Sequence, residues 1–402
     1  MNKTVYIVLY TLSVGGAERH ASSIANYLVQ NGYKVEFVLL QNNTVDYVLE
    51  DGVNVTALSD CKYINGVKNS GPRFVDKVLL KLYQNVNSSK YQFLDKKLYI
   101  EKHYCDKLEQ FFLQQEDLDE SVVISFMPIP NITAAMLKTK FKYKLILGEF
   151  NSPQLEFPAD APENRLKEKY FPNANGFVFQ TSEQREFYDY LPNVKKQIIP
   201  NPIEEINISP FKGLRKKEIV NFCRFAKAKN LPLLISAFAR LVKEYPDYKL
   251  VIYGEGPEKA RMEKCIVDCG IVENVKLKPF ATNVLELVKN SAMFVSSSDR
   301  EGISNSMLEA MAIGLPTIST DCPAGGARMF IEPYQNGILV PVRDPEALYN
   351  AMKFMIEHPE KAERMSQNAV AIRNTLEKNK ILEQWLGFLM DVQGETNGRV
   401  HD

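Results

Sequence analysis

The sequence predicts an α/β protein made of two parallel-sheet domains. The chain has 402 residues, which is enough for two domains. Short apolar runs of strand length alternate with amphipathic runs of helix length, and this alternation restarts after the proline-flanked segment 198–203. Apolar residues make up 45% and charged residues 24%, close to the globular average, which excludes a disordered or fibrous chain. Lys+Arg and Asp+Glu both number 49, so the net charge gives no basis for a nucleic-acid binder.

The amino-terminal half opens with a strand, a glycine turn, a helix and a second strand. These elements are predicted at 5–10, 13–16, 17–31 and 35–40, and Gly32 stands where it would end the helix. Because the first apolar run leads directly into a turn and a helix pattern, we interpret it as a buried strand and not as a signal peptide. Further core strands are predicted at 122–126, 145–147 and 176–180.

The carboxyl-terminal half repeats the alternation after the linker and a charged segment at 212–218. Its predicted strands lie at 219–224, 249–253, 275–278, 293–296, 317–320 and 338–341, and its predicted helices at 231–244, 258–269, 306–313 and 345–356. Two such halves predict two Rossmann-like domains facing a cleft, with ligands bound beyond the carboxyl ends of the strands. We expect an amino-terminal domain at 1–200 and a second domain at 201–378, followed by a helix and tail at 379–402. No run of about 18 apolar residues occurs, so we expect a cytoplasmic protein or one resting on a membrane surface.

Gly15 and Gly16 lie between the first strand and its helix. Glycines allow close backbone approach, and a helix start offers free amides, so this turn is an anion-binding candidate. A tight turn without a ligand is the alternative. An NAD fingerprint is disfavoured, because the spacing is not G-x-G-x-x-G and the second strand ends without an acidic residue.

Arg224 lies at the end of the first predicted strand of the second domain, and Lys229 lies just before the helix that follows. Two cations at this spacing could hold both phosphates of a diphosphate. Solvated surface charge is the alternative, above all for Lys229.

Two glutamates eight positions apart, Glu301 and Glu309, flank a glycine and small polar residues at a strand-to-helix turn. Both carboxylates could address one ligand, or Glu309 could complete a capping box with Ser306. Asp117 and Asp119 form a D-x-D that could hold a metal, although a solvated acidic loop is the favoured interpretation.

Together these motifs resemble the family-4 retaining glycosyltransferases of GT-B fold. The most specific part is Glu301-x7-Glu309, continued by Ala310-Met311 and Gly314-Leu315-Pro316, with Gly15-Gly16 and Arg224/Lys229 in the expected order. The match is good at 5–40 and about 198–342 and holds only in outline elsewhere. The stretch DCPAGGARMFI resembles enzymes of capsule, exopolysaccharide or other cell-envelope glycans. The resemblance also implies that the last helical region, 381–392, crosses back to domain one.

The resemblance implies roles for individual residues. Arg224 and Lys229 would bind the donor diphosphate and stabilise it as a leaving group, and the Gly16 amide would assist from the other domain. Glu309 would bind the ribose. The transferred sugar and the phosphates would face Glu301 and the backbone of Gly302, Ile303, Ser304 and Asn305. The base would be bordered by Gly254, Gly256, Pro279 and Phe280. No metal and no cofactor are expected, since cations and helix starts take over the electrostatic role.

Two positions depart from the family pattern. Where many relatives have a histidine after the strand at 145–147, this chain has Gly148-Glu149. Glu149 is the candidate for contacting the acceptor hydroxyl, with a structural role in the turn as the alternative. Arg328 stands where many relatives have a glutamate, and no role is assigned to it.

The stretch 61–104 holds nine Lys/Arg, three acidic residues and interleaved aromatics. It predicts an interfacial helix that contacts anionic lipid, with a core-packed amphipathic helix as the alternative. The predicted partners are a nucleotide-sugar donor, a glycan acceptor that is lipid-linked or on protein, and an anionic membrane, with no nucleic acid. Six scattered cysteines, expected to be reduced and buried, complete no metal site with the four histidines.

We therefore expect metal-independent, retaining transfer of a hexose or N-acetylhexosamine from a nucleotide diphosphate, most simply UDP, to a growing glycan. A double-Rossmann UDP-sugar isomerase and a catalytically inactive glycan-binding partner are the alternatives.

Overall fold

The computed structural model describes residues 3–13, 15–41, 44–58, 63–64, 67–68, 99–158 and 161–395. The chain divides into two compact units. The first comprises Met1–Ile199 with Asn379–Asp402, and the second comprises Pro200–Lys378.

The first unit is organised around a seven-stranded parallel sheet of order β3-β2-β1-β6-β7-β8-β9. Continuous runs of valine, isoleucine, leucine and phenylalanine form its central strands, as expected for a parallel sheet that is covered on both faces. Its strands are β1 (Thr4–Leu9), β2 (Lys34–Leu39), β3 (Val53–Ala57), β6 (Val122–Phe126), β7 (Lys144–Glu149), β8 (Gly176–Phe179) and β9 (Lys195–Ile198). A separate antiparallel pair is formed by β4 (Tyr63–Ile64) and β5 (Val67–Lys68).

The helices of the first unit follow its strands in sequence. They are α1 (Gly16–Gln30), α2 (Asp106–Phe112), α3 (Pro128–Leu137), α4 (Pro153–Glu156), α5 (Pro162–Tyr170) and α6 (Ser182–Phe187). As predicted, Gly32 lies just past the end of α1, at the C′ position, and has φ +85°. The Gly32 and Tyr33 amides donate to Val29 O and Leu28 O, the hydrogen bonds of a Schellman motif.

The second unit contains a six-stranded parallel sheet of order β12-β11-β10-β13-β14-β15. Its strands are β10 (Lys216–Phe222), β11 (Lys249–Tyr253), β12 (Val275–Lys278), β13 (Ser291–Ser296), β14 (Thr317–Thr320) and β15 (Ile338–Val340). Its helices are α7 (Leu231–Glu244), α8 (Lys259–Asp268), α9 (Val284–Val288), α10 (Asn305–Ala312), α11 (Gly326–Phe330), α12 (Pro345–Glu357), α13 (Pro359–Ala369) and α14 (Ile372–Thr375).

The last helix, α15 (Lys378–Gln393), packs on the first unit, which confirms the predicted crossing. A Cβ atom on Gly176, the first residue of β8, would lie 2.8 Å from atoms of both Phe388 and Val392. Glycine at this position therefore lets α15 approach the sheet closely. The Trp385 ring lies 5.7 Å from the Phe126 ring, centroid to centroid.

Among the described residues, the sequence patterns missed the strands β3, β4, β5 and β9, and they misplaced the start of β10. The edge strands β3 and β9 are short and only partly buried, so they lack the continuous apolar run that marks a central strand. Strand β10 begins at Lys216, inside the charged segment. Its start was misplaced because its first two residues are exposed, and only its last four are buried and show the apolar pattern of a central strand. Of the five described cysteines, all free, only Cys105 and Cys322 are buried, so the prediction of buried thiols was wrong for the other three.

Within the described ranges, no helix has the length and apolar character needed to cross a membrane. The predicted interfacial helix falls on residues that, apart from 63–64, 67–68 and 99–104, lie outside the described part of the chain.

Candidate active site

The loop that follows β10 holds Arg224 at the carboxyl edge of the second sheet. Backbone hydrogen bonds fix the loop on both sides of this residue: Cys223 N donates to Tyr253 O (3.0 Å) and Phe225 N donates to Glu255 O (2.7 Å). The Arg224 side chain is exposed, and no ion pair or side-chain hydrogen bond joins it to another described residue. The backbone at Arg224 is therefore held in place, while its guanidinium group faces solvent.

Gly254 and Gly256 make this fixation possible. They have φ +146° and +149°, values that side chains other than glycine rarely adopt. A Cβ atom on Gly256 would lie 2.5 Å from Phe225 O, and one on Gly254 would lie 2.9 Å from the Phe225 ring. The loop after β11 thus packs directly against the Arg224 loop, a structural role that the sequence patterns did not reveal.

Lys229 ends a single 3₁₀ turn, Lys227–Lys229, that is bound to the loop after β13. Ser297 Oγ donates to Lys229 O (3.0 Å), and Asp299 N donates to Ala228 O (2.8 Å). Asn230, at φ +41°, donates from Nδ2 to Asp299 Oδ1 (2.9 Å). The two loops are therefore held together through their backbones.

Lys229 Nζ forms an ion pair with Glu301 Oε1. Only 20% of the Lys229 side chain and 16% of the Glu301 side chain are exposed. Burial by itself lowers the pKa of Lys229, but the Glu301 carboxylate and the Cys223 thiol outweigh it, so the pKa lies above its ordinary value. The structure thus brings together two predicted site residues 72 positions apart in sequence, and the surface-charge interpretation of Lys229 is wrong.

Helix α10 follows Glu301 in sequence, and its first turn lies at the carboxyl edge of the second sheet. Its N-cap residue, Ser304, is nearly buried, and its side chain makes no capping hydrogen bond. The first helical amides therefore have no side-chain acceptor from the cap, which leaves them suited to an anion. Because Ser306 lies inside the helix, the alternative capping box with Glu309 is not formed.

Both ends of α10 are anchored within the second unit. At its start, the buried Asn201 donates from Nδ2 to Asn305 Oδ1 (3.0 Å). At its end, Gly314 N and Leu315 N donate to Met311 O and Ala310 O (both 3.0 Å), a Schellman motif centred on Gly314. These bonds give the Gly314-Leu315 part of the sequence signature a structural purpose.

Gly326, which begins α11, packs against the backbone of the predicted sugar-facing loop. A Cβ atom there would lie 2.8 Å from the Gly302 carbonyl carbon and 2.9 Å from Ile303 Cα. The Gly302–Ile303 segment is therefore positioned by the loop after β14. Arg328, to which no role was assigned, forms an exposed ion pair with Asp321 (2.7 Å).

The predicted base-bordering residues Pro279 and Phe280 directly follow β12. The Phe280 side chain is 64% exposed. Gly254 N donates to Lys278 O (3.0 Å), so this loop adjoins the one that contains Gly254 and Gly256.

In the first unit, Gly15 is the N-cap of α1 and Gly16 its first residue. The Tyr47 hydroxyl accepts from Gly15 N (2.8 Å) and donates to Gly15 O (2.6 Å). Tyr47 thus holds the turn at the carboxyl edge of β1.

Glu149 is the last residue of β7 and is only 3% exposed. Tyr188 Oη donates to Glu149 Oε2 (2.7 Å), and Asn151 N donates to Glu149 Oε1 (3.3 Å). The structural role in the turn is therefore directly visible, whereas contact with an acceptor stays a prediction.

Glu156 is a second carboxyl group beside Glu149 that the sequence did not indicate. Burial raises the pKa of Glu156 well above its ordinary value, and the neighbouring Glu149 charge adds to this. Asn151 Nδ2 donates to Glu156 Oε1 (2.6 Å), while Glu156 Oε2 is buried without a donor. A proton on Glu156, directed at Glu149, satisfies both carboxyl groups.

His20, on α1, lies against the Phe150 ring (5.3 Å between centroids) and the Trp385 ring (5.7 Å). Burial lowers its pKa to about 3, with a smaller contribution from Arg19. A histidine thus adjoins the position where the family pattern has one, although it comes from another element and is neutral.

Asp117 of the D-x-D is structural. It accepts from Thr4 Oγ1 and from Tyr6 Oη (3.1 Å), tying the loop to β1, so the interpretation as a solvated loop was wrong for Asp117, whereas Asp119 is exposed as expected. Among the described residues, no group of three His, Cys, Asp or Glu side chains is arranged to hold a metal ion.

Residues 203–371 match the family model described as glycosyl transferases group 1. The second unit therefore carries a glycosyl transferases group 1 domain. A Campylobacter jejuni N-acetylgalactosamine-N,N'-diacetylbacillosaminyl-diphospho-undecaprenol 4-alpha-N-acetylgalactosaminyltransferase is 26% identical over 96% of this chain and 98% of its own length. With such a relative covering both domains, the chain is a transferase enzyme of the glycosyltransferase class.

Solved structures with the same fold cover nearly the whole chain. Sucrose-phosphate synthase from Thermosynechococcus elongatus has a TM-score of 0.75 at 14% identity, covering 98% of this chain and 100% of that one. The pneumococcal O-GlcNAc transferase GtfA, solved with UDP and GlcNAc, has a TM-score of 0.71 at 15% identity, covering 97% and 99%. These likenesses confirm the predicted GT-B architecture of two Rossmann-like domains.

Proposed function

We propose that this glycosyltransferase transfers a hexose or N-acetylhexosamine from a UDP-sugar to a growing glycan, with retention and without a metal ion. The observation that carries the proposal is the cluster at the carboxyl edge of the second sheet. There, exposed Arg224 and the Lys229–Glu301 pair lie at the loops that lead to the uncapped start of α10. Cations and free amides in one place fit a diphosphate.

Departure of a nucleoside diphosphate from an anomeric carbon builds negative charge on the phosphate oxygens. Arg224 and Lys229 would stabilise that charge, and the amides of Gly302 to Asn305 would add dipoles that are already oriented. Glu301 would accept hydrogen bonds from the sugar, and Glu309 from the ribose. These two cations can supply the charge that a divalent ion supplies in other transferases, which is the basis for proposing metal-independent transfer.

UDP is favoured as the nucleotide because the similar GtfA was solved with UDP. The Campylobacter jejuni relative has a diphospho-undecaprenol acceptor in its name, which supports a lipid-linked glycan acceptor here. Three further parts of the proposal rest on the sequence alone. They are membership of family 4, a role in capsule or exopolysaccharide synthesis, and a position at the inner membrane face. The expected contact of Gly15 and Gly16 with the donor diphosphate belongs to the proposal in the same way.

Calorimetric titration with UDP in EDTA tests the proposal, with GDP and NAD⁺ as controls. We expect UDP binding that persists in EDTA and is lost in Arg224→Ala. Preference for GDP would keep the enzyme class and change the donor. Binding of neither nucleotide by the folded protein would contradict the site assignment.

A further inference from the structure

We propose that Glu301 competes with the diphosphate for Lys229 and thereby weakens binding of the free nucleoside diphosphate relative to the intact nucleotide sugar. This inference rests on the proposed function, since it concerns the same donor site. It gives Glu301 a second task, the release of the spent nucleotide.

Lys229 and Glu301 form a largely buried ion pair. Lys229 Nζ contacts Glu301 Oε1, and both side chains are at least four-fifths buried. Their attraction is therefore stronger than that of an exposed pair, because little water screens it. A diphosphate that needs the Lys229 ammonium must take it from this carboxylate.

Hydrogen bonds join the loops that carry Lys229 and Glu301. Ser297 Oγ holds Lys229 O at 3.0 Å, and Asp299 N holds Ala228 O at 2.8 Å. The backbones on both sides of the pair are thus bound to each other. These bonds resist separation of the two loops, so we expect the carboxylate to stay within reach of the ammonium when an anion enters.

The nucleotide sugar and the free nucleoside diphosphate differ in what they offer to Glu301. A nucleotide sugar brings hydroxyl groups that can donate to Glu301 and replace the hydrogen bonds it loses from Lys229. A free nucleoside diphosphate has no sugar to face Glu301 and carries more negative charge on its terminal phosphate, so Glu301 loses its partner and faces a second anion. Like charges brought together in a desolvated site disfavour binding. Glu301 therefore penalises the product more than the donor.

The test is calorimetric titration of UDP into wild type and Glu301→Gln. We expect UDP to bind about tenfold more tightly to the variant, which corresponds to about 1.4 kcal/mol. The preference for UDP-glucose or UDP-N-acetylglucosamine over UDP should shrink at the same time. Glu301→Ala also removes the charge and should show the same gain, so the test does not depend on one variant folding; thermal unfolding verifies both.

Two further variants isolate the cause. In a Lys229→Met background, Glu301→Gln should bring a clearly smaller gain, because only the direct repulsion between the Glu301 carboxylate and the diphosphate is then left to relieve. Asp268→Asn removes a carboxylate that is paired with Lys264 on exposed α8 and should leave UDP affinity unchanged. Unchanged or weaker UDP binding by the folded Glu301 variants would overturn the inference, as would an equally large gain in the Lys229→Met background. Failure of wild type to bind either UDP or GDP would instead overturn the proposed function, and this inference with it.

Discussion

Gly256→Ala tests whether the loop after β11 positions Arg224. Its Cβ atom would lie 2.5 Å from Phe225 O, 2.9 Å from Phe225 C and 3.0 Å from Phe225 N. All three atoms belong to the backbone next to Arg224, so no flexible side chain can yield. Relief to an ordinary contact of about 3.5 Å requires the two loops to separate by roughly 1 Å.

Three effects set the size of the expected loss. Overpacking costs about 1–3 kcal/mol, and forcing alanine to φ +149° costs on the order of 1–3 kcal/mol more. Separation of the loops also weakens the bond from Glu258 N to Phe225 O (3.1 Å), worth about 1 kcal/mol. We therefore expect a loss of about 3 kcal/mol or more in the free energy of unfolding. A displacement of about 1 Å at Arg224 should also reduce UDP affinity or turnover by about 100-fold.

The matched control is Gly270→Ala. Gly270 also has positive φ (+69°), but its Cβ atom would meet nothing within 4 Å. It should therefore lose only about 1 kcal/mol, from backbone strain, and keep its UDP affinity. Urea unfolding and UDP calorimetry on both variants measure these quantities. Equal losses in the two variants, or normal UDP binding by Gly256→Ala, would refute the proposed packing role.

Three further predictions follow from the described contacts. Gly326→Ala should push the Gly302–Ile303 backbone, cost about 1–3 kcal/mol of stability and weaken UDP-sugar binding; normal binding in calorimetry would count against this packing. Asn201→Ala should leave Asn305 without its donor and cost about 1–3 kcal/mol in urea unfolding; an unchanged midpoint would show that the bond is dispensable. Glu156→Gln should be more stable than wild type at pH 8 but not at pH 4. Burial and the Glu149 charge raise the folded-state pKa of Glu156. Wild type therefore loses stability as the pH rises above the pKa that Glu156 has in the unfolded chain. Glutamine at this position keeps a hydrogen-bond donor and does not titrate. Parallel unfolding curves at the two pH values would contradict the shared proton.

The sequence was sufficient for those parts of the fold that depend on local patterns. Central strands such as β6, and helices such as α7, were predicted with their observed bounds, because buried apolar runs and helical periodicity reflect burial directly. The edge strands β3 and β9 were missed because half-exposed strands carry mixed residues.

The donor site was predicted as a set of residues, but its internal contacts were not. Motif order placed Arg224, Lys229 and Glu301 at turns after strands. The Lys229–Glu301 pair could not be predicted, because two loops that meet at the edge of a sheet are distant in sequence. Glu149 and Glu156 are close in sequence, but the sequence does not show the turn after β7 that brings their carboxyl groups together.

The central claim, metal-free sugar transfer that depends on Arg224, is tested most directly by turnover in EDTA. UDP release would be measured from UDP-glucose, UDP-galactose and their N-acetylamino counterparts, with alkyl glycosides as soluble acceptors. The account predicts release from at least one of these donors without added metal, and a rate about 100- to 1,000-fold lower in Arg224→Ala. Release that requires added Mg²⁺, or that is unchanged in folded Arg224→Ala, would contradict it.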